Sequence, residues 1–321
     1  MSYNTDLQTN NDELQTILNT INALPGITPS DIGAATEIHA SQHASTGSDP
    51  ITPESIGAAG NKNLLHNWDF TNAINQRGVT SLEQNSTLAY FIDRWQVWDG
   101  NFSITDSGLQ VAWNGSSGYN ARMRQKIERK LFGTTVIVSA IIDDVLYQSS
   151  LTIPETANSD SYGITNNGIQ FYVQNHDSTC FSVGIVINET TTRTISRVKC
   201  EVGTVSTLIG DAPADYGEQL ALCQRYCIKF SGGTNRYRPS QKTTSVFDFI
   251  IPTPVSMRVK PSFSGTFGTV YSYGGSLQTG FSISINSLDS NAIVIRATKS
   301  SHGLSDAMLG LTAGLILSAD L

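Results

Sequence analysis

Charge is scarce in this chain. Asp, Glu, Lys and Arg make up 15 % of its 321 residues, where an ordinary soluble domain carries about 25 %. The balance is acidic, with a net charge of −7. No basic cluster offsets it, which argues against nucleic acid, whose phosphates call for concentrated Lys and Arg. No apolar run approaches the roughly 20 residues of a membrane span. The opening "MSYNTDLQTNNDEL" has neither the positive nor the apolar segment of a secretory signal. Synthesis in a cytoplasm without a signal peptide is the expectation.

Cysteine is equally sparse. Cys180 and Cys200 sit in strand-like runs, while Cys223 and Cys227 form C-x3-C without a second pair at zinc-finger spacing. Buried free thiols are expected. Catalytic signatures are missing too: no G-x-S-x-G elbow, H-E-x-x-H, phosphate loop or dinucleotide fingerprint occurs. Asp143 and Asp144 are adjacent, so on a strand they point apart and make no glycosidase pair. The acceptor-like "NGS" at Asn114 and "NET" at Asn188 lack a secretory context.

What is present begins with a heptad pattern. Leu7, Leu14 and Ile21 recur every seven residues, and Asn10, Ile17 and Leu24 fill the other seam position. That predicts a short coiled coil over 1–26, ended by Pro25-Gly26. Residues 27–62 then hold "ITPSDIGAA" and "ITPESIGAA", starting 24 residues apart. Each copy has two isoleucines and little else to bury. Three chains around an axis would make apolar layers from Ile32 and Ile56, so 27–62 reads as a shaft segment of an oligomer.

From 63 to 212 short β-branched and aromatic runs alternate with turn signals such as Asp99-Gly100, Ser107-Gly108 and Asn167-Gly168. Seven or eight such strands predict a β-sandwich or jelly roll. "PADYGEQLALCQRYCIK" breaks the pattern with a helix. Asp215 and Glu218 resemble a capping box, and Tyr216, Leu220, Cys223 and Cys227 share one face. The rest of 213–321 returns to β patterning, and the closing "AMLGLTAGLILSADL" reads as one last buried strand. The expected fold is mainly β: coiled coil, shaft, jelly roll, connecting helix and a smaller C-terminal β domain.

"NKNLLHNWDFTNAINQRGVTS…AYFIDRWQVWDGNFSI" resembles the opening of phage tail-fibre proteins that carry a carbohydrate-binding-module-like jelly roll. "RVKCEVGTVSTLIGDAPADYGEQLALCQRYC" resembles their junction after the last jelly-roll strand. "HASQHASTGSDPITPESIGAA" is similar to the shaft repeats of tail fibres and pyocin-like particles. "IIPTPVSMRVKPSFS" and "LSADL" resemble fibre tips. Where the family commonly has two aromatics after "CQRY", this chain has Cys227. The resemblance implies a homotrimer joined to tail or baseplate proteins through its N-terminus. It also implies distal domains that bind a host-cell surface, on a virion or tail-like particle; with enzyme signatures missing, non-catalytic binding of host-surface polysaccharide is the expected role. Leu7, Leu14, Ile17, Ile21, Leu24, Ile32, Ile56 and Leu220 would face the threefold axis.

The binding candidates are aromatic and cationic. Sugar rings have apolar C–H faces that stack on Trp and Tyr. Trp95 and Trp98 point to opposite faces of a strand. Trp95 is expected in the core, leaving Trp98, Trp113 and Tyr119 as sugar candidates. Near the C-terminus, Tyr271 and Tyr273 share a strand face, and Arg236, Tyr237 and Arg238 read as an exposed loop. A cross-strand aromatic pair in a trimer interface is the alternative for the two tyrosines. His39 and His43 form H-x3-H, which on a helix puts both rings on one face. A threefold ring of either would suit a divalent metal, and two solvated histidines are the alternative. No cofactor is otherwise required. Two rival functions stay open: a glycan-degrading tail enzyme using paired carboxylates, and a purely structural fibre section.

Overall fold

The structure, a computed structural model, describes residues 3–23, 62–115, 120–164, 167–230, 236–265, 267–311 and 314–320. The chain divides into two units, 1–59 and 60–321. In the first, helix α1 spans Tyr3–Ala23. Thr16 and Thr20 satisfy their hydroxyls on the carbonyls of Asp12 and Thr16, one turn back. Residues 8–20 are all exposed, including Leu14, Ile17 and Leu18. Leu24, Ile32, Ile56, His39 and His43 lie outside the described residues, as do the side chains of Leu7 and Ile21.

The second unit is mainly β. Its first sheet orders β1 (Ser81–Gln84), β4 (Gly100–Thr105), β5 (Gly108–Trp113), β12 (Arg193–Val202), β7 (Thr135–Ile142) and β8 (Val145–Thr152). The second orders β2 (Ala89–Ile92), β3 (Trp95–Trp98), β6 (Ala121–Ile127), β11 (Phe181–Ile187), β10 (Ile169–Asn175) and β9 (Asp160–Ile164). All these pairings are antiparallel. The inward side chains of both sheets form one core, with Phe91, Trp95, Phe171 and Phe181 fully enclosed. The alternation is clearest in β6, where Ala121, Met123, Gln125 and Ile127 are buried while Arg122, Arg124 and Lys126 stand outward.

Asp143 and Asp144 are not strand residues. They form the two-residue link between β7 and β8, both with positive φ (50° and 62°), the geometry that fits the twist of a hairpin. The Asp143 carboxylate also accepts from Arg193 and the Thr194 N–H, which ties the link down.

A buried polar knot joins the sandwich to the helix after Pro213. Asn67 adopts φ 52° and holds Ile74 from both sides, accepting from its N–H and donating to its carbonyl. Its own N–H donates to Gln219 Oε1 at 2.7 Å, and its carbonyl accepts from Trp95 Nε1 at 2.8 Å. Gln219 belongs to α2, Tyr216–Gln224, which Asp215 caps through the Glu218 N–H. The helix therefore buries Gln219 and Cys223, leaves Leu220 half-buried, and exposes Tyr216. The expected face is rotated because the knot claims Gln219, and Cys227 lies beyond the helix.

That residue opens β13 (Cys227–Phe230). β13 pairs with β23 (Leu315–Ser318), which pairs with β17 (Ser262–Ser264). A second small sheet orders β14 (Arg236–Tyr237), β22 (Ala307–Gly310), β18 (Thr269–Ser272) and β19 (Leu277–Gln278). A third orders β15 (Gln241–Lys242), β16 (Val246–Pro252), β21 (Ala292–Thr298) and β20 (Ser282–Leu288). They share a core that includes Phe247, Phe249, Ile295, Leu309 and Leu317. The terminal apolar run thus makes two strands, β22 and β23, in different sheets. Gly314 at φ 108° lies between them. All four cysteines are free and buried. Burial pushes the Cys227 thiol up to about 12.

The described residues contain no helix long and apolar enough to cross a membrane.

Candidate functional site

Strand register assembles the first candidate surface. Gln96 on β3 pairs with Arg124 on β6, Arg124 with Gly184 on β11, Gly184 with Tyr172 on β10, and Tyr172 with Tyr162 on β9. These five positions form one row across the outer face of the second sheet. Arg124 donates to Gln96 Oε1 and Gln174 Oε1, both at 3.0 Å. Its guanidinium is held by neutral amides. A Cβ at position 184 would fall inside the Tyr172 ring. Glycine there lets that ring lie flat on the sheet.

Tyr162 stacks on Tyr172 with centroids 5.6 Å apart and planes 30° apart, an offset pair of the favourable kind. Tyr172 is enclosed, and burial raises its hydroxyl to about 12 against the pull of Arg124 and Arg122. Tyr162 remains 44 % exposed and donates to Asp160 at 3.1 Å. Burial raises its pKa, helped by Asp160. The next row places Trp98 opposite Arg122, whose guanidinium carbon lies 5.6 Å from the indole. On the other side, His176 Nε2 meets Ser182 Oγ at 2.5 Å. Burial, with Arg124 and Lys126 nearby, lowers this imidazole to about 4, so it is neutral at pH 7. The face is a flat aromatic step fringed by amides, hydroxyls and held guanidinium groups. Such a surface stacks on an apolar ring face while hydrogen-bonding hydroxyls around it.

The second surface joins two sequence motifs about 35 residues apart. Arg236 lies with its guanidinium carbon 3.4 Å from the centroid of the Tyr271 ring. Arg238 lies 5.1 Å from Tyr273 and donates to its hydroxyl at 3.2 Å. β14 and β18 flank β22, so each arginine reaches its tyrosine across the middle strand. They meet over Gly310, where a Cβ would crowd both Arg236 and Tyr271.

The sequence-derived candidates separate accordingly. Trp98 lies on the first surface and is half-buried. Trp113 instead packs against the sandwich core, on the side of Leu109 and Val111. Tyr119 lies outside the described residues. Tyr237 turns inward onto the second core, while Arg236 and Arg238 on either side of it are exposed. Arg236 and Tyr237 are a strand rather than a loop. Tyr271 is in β18, and Tyr273 follows it in the turn closed by Gly275 N–H on the Ser272 carbonyl. The sequence reading missed Tyr162, Tyr172, Arg124, Gln96 and Gln174. The one local signal for them was "ARMRQKI", whose cations all fall on one side of a strand.

Among the described residues, no group of three or more His, Cys, Asp or Glu is placed to hold a metal ion. The chain matches no family model, no curated protein and no solved structure.

Proposed function

We propose that this chain is a non-catalytic, receptor-binding tail-fibre protein that attaches a phage or tail-like particle to host-surface glycans. The observation that carries the reading is the outer face of the second sheet. Its exposed Tyr162, stacked on Tyr172, together with Gln174, Arg124 and Gln96 farther along the same face, suits a neutral sugar ring. The two-sheet sandwich would be the carbohydrate-binding jelly roll, and the C-terminal sheets a distal β domain.

Trimerisation is part of the proposal. α1 exposes Leu14, Ile17 and Leu18, and burying each such side chain stabilises by about 1.5–3 kcal/mol. A coiled coil of three chains would bury Leu14 and Ile17 on its axis, continued by the Ile32 and Ile56 layers of the shaft, where His39 and His43 would be placed to hold a divalent ion. Three weak sites on one particle gain on the order of 10²–10⁴ in avidity, because later contacts are intramolecular.

The test uses the full chain on an array of bacterial surface glycans, with Tyr162→Ala beside it. Capture of a defined glycan by the parent, at least about tenfold weaker in the variant, supports the reading. Binding unchanged by Tyr162→Ala removes the assigned face. Release of reducing ends from the captured polysaccharide would show an enzyme instead.

A further inference from the structure

We infer that the Arg236–Tyr271 and Arg238–Tyr273 pairs form a second saccharide site, separate from the sandwich face, that takes a carboxylate-bearing sugar. The two arginines are two residues apart, Arg236 opening β14 and Arg238 just past its end, both exposed and roughly 6–7 Å apart along extended chain. Neither forms an ion pair among the described residues. In a chain of net charge −7, two unneutralised guanidinium groups side by side are unusual. Among the described residues, the register of β22 brings the carboxylate of Asp306 toward them. It accepts the N–H of the next residue, Ala307, and is paired with neither arginine.

The stacking explains what kind of anion fits. A guanidinium has five N–H donors; Arg238 spends one on the Tyr273 hydroxyl, and the remaining planar fork matches the two oxygens of a carboxylate. The tyrosines hold the guanidinium groups in place before a ligand arrives, so little ordering remains to be done on binding. Tyr273 is 61 % exposed, beside the glycine turn, and offers its ring to the apolar face of the same sugar. Gly310 makes the arrangement possible, since any side chain there would lift Arg236 away. The Tyr271 hydroxyl is lowered from its ordinary value, first by a hydrogen bond with Thr269 and then by Arg236. An inorganic anion would need the arginines alone. The aromatic faces assign the site to a sugar acid rather than to phosphate.

The probe is a polygalacturonate oligomer, compared with its fully methyl-esterified form, titrated into the full-length protein. The acid is expected to bind, the ester not, and the affinity to fall as salt is raised. Arg238→Gln combined with Tyr273→Ala changes only exposed side chains and should weaken the acid by about tenfold or more. Arg236→Gln should do the same, with its melting temperature read in parallel because that side chain covers Gly310. Tyr162→Ala should leave acid binding unchanged, which separates this site from the sandwich face. Equal binding of acid and ester, wild-type affinity in Arg238→Gln/Tyr273→Ala, or full competition by inorganic phosphate would each overturn the assignment.

Discussion

The ring of Tyr172 occupies the space that a side chain at position 184 would need. Residue 184 is buried on the outer side of its sheet, and what buries it is the aromatic step itself. A cavity-free surface of this kind has little slack. Gly184→Ala is expected to cost about 1–3 kcal/mol through overpacking and to displace both tyrosines. Thermal melts should show the loss, and glycan capture by the sandwich face should fall with it. Gly274→Ala, where a Cβ meets nothing within 4 Å, is the matched control and should be silent in both.

Acid should act on the two deeply buried groups His66 and Asp93 in opposite senses. Burial lowers His66 to about 3, with Arg94 and other cations adding to the effect. Its contribution is full above the unfolded value near 6.5 and shrinks as pH falls below it. Burial raises Asp93 to about 6, against hydrogen bonds from Gln76 and the charge of Arg77. Its unfolded form gives up the proton nearer 4, so this group favours the fold more as pH falls from about 6 to 4. Each contributes about 1.4 kcal/mol per pH unit in its window. The His66 and Asp93 slopes largely cancel between pH 6 and 4, and the more exposed His176, also lowered, adds a smaller, solvent-screened loss over the same range. Asp93→Asn should remove the compensation and leave a steady loss of stability from pH 6.5 downward, read by denaturant midpoints across pH.

Lys199 is almost completely enclosed. Its ammonium lies 2.8 Å from Asp211 and 3.5 Å from Glu201, and donates to Thr207 Oγ1 at 2.6 Å. Glu201 in turn accepts the Thr207 N–H and hydroxyl. The cluster pins residues 203–211 over the outer face of the first sheet and so sets where α2 starts. Lys199→Met alone strands the buried Glu201 carboxylate and leaves Asp211 unpaired, and should cost about 3–5 kcal/mol. Lys199→Met with Glu201→Gln should cost clearly less than the sum, which a double-mutant cycle in urea will read.

The apolar stripe of α1 gives the oligomer test. Leu14→Asp with Ile17→Asp should leave the β unit folded and convert a trimer to monomer in native mass measurement, because charges on a coiled-coil seam are not tolerated. A trimer that survives this change, or a monomeric parent, removes the coiled coil from the proposal.

Patterns carried by neighbours in sequence were legible. The strand runs, the helix after Pro213, the glycine turns and the enclosed Trp95 all follow from local alternation and turn chemistry. Relationships that depend on register were not. The row Gln96, Arg124, Gly184, Tyr172, Tyr162 draws on five strands, and nothing at any one of them announces the others. Trp98 and Trp113 read alike in sequence, yet one faces outward and the other the core, because each strand's parity is set by what it pairs with. The helix face was misjudged for a similar reason. Its inner contact is a backbone N–H at Asn67, about 150 residues earlier, which apolar periodicity cannot register. The Arg–Tyr pairs stand between these cases: both motifs were visible, and only their meeting was hidden.

β13 and β23 pair Cys227 with Ser318 and Phe230 with Leu315. A strand made early in this region therefore waits for a partner made about 85 residues later. On a ribosome adding residues at about 5–20 per second, β13 spends several seconds with its ladder open. Closure of the three-sheet core is bound to be a late step, slowed by the long loops it must gather. Any neighbouring copy emerging beside it offers the same missing strand, so the timing of synthesis, as much as the finished contacts, decides whether each chain completes its own fold.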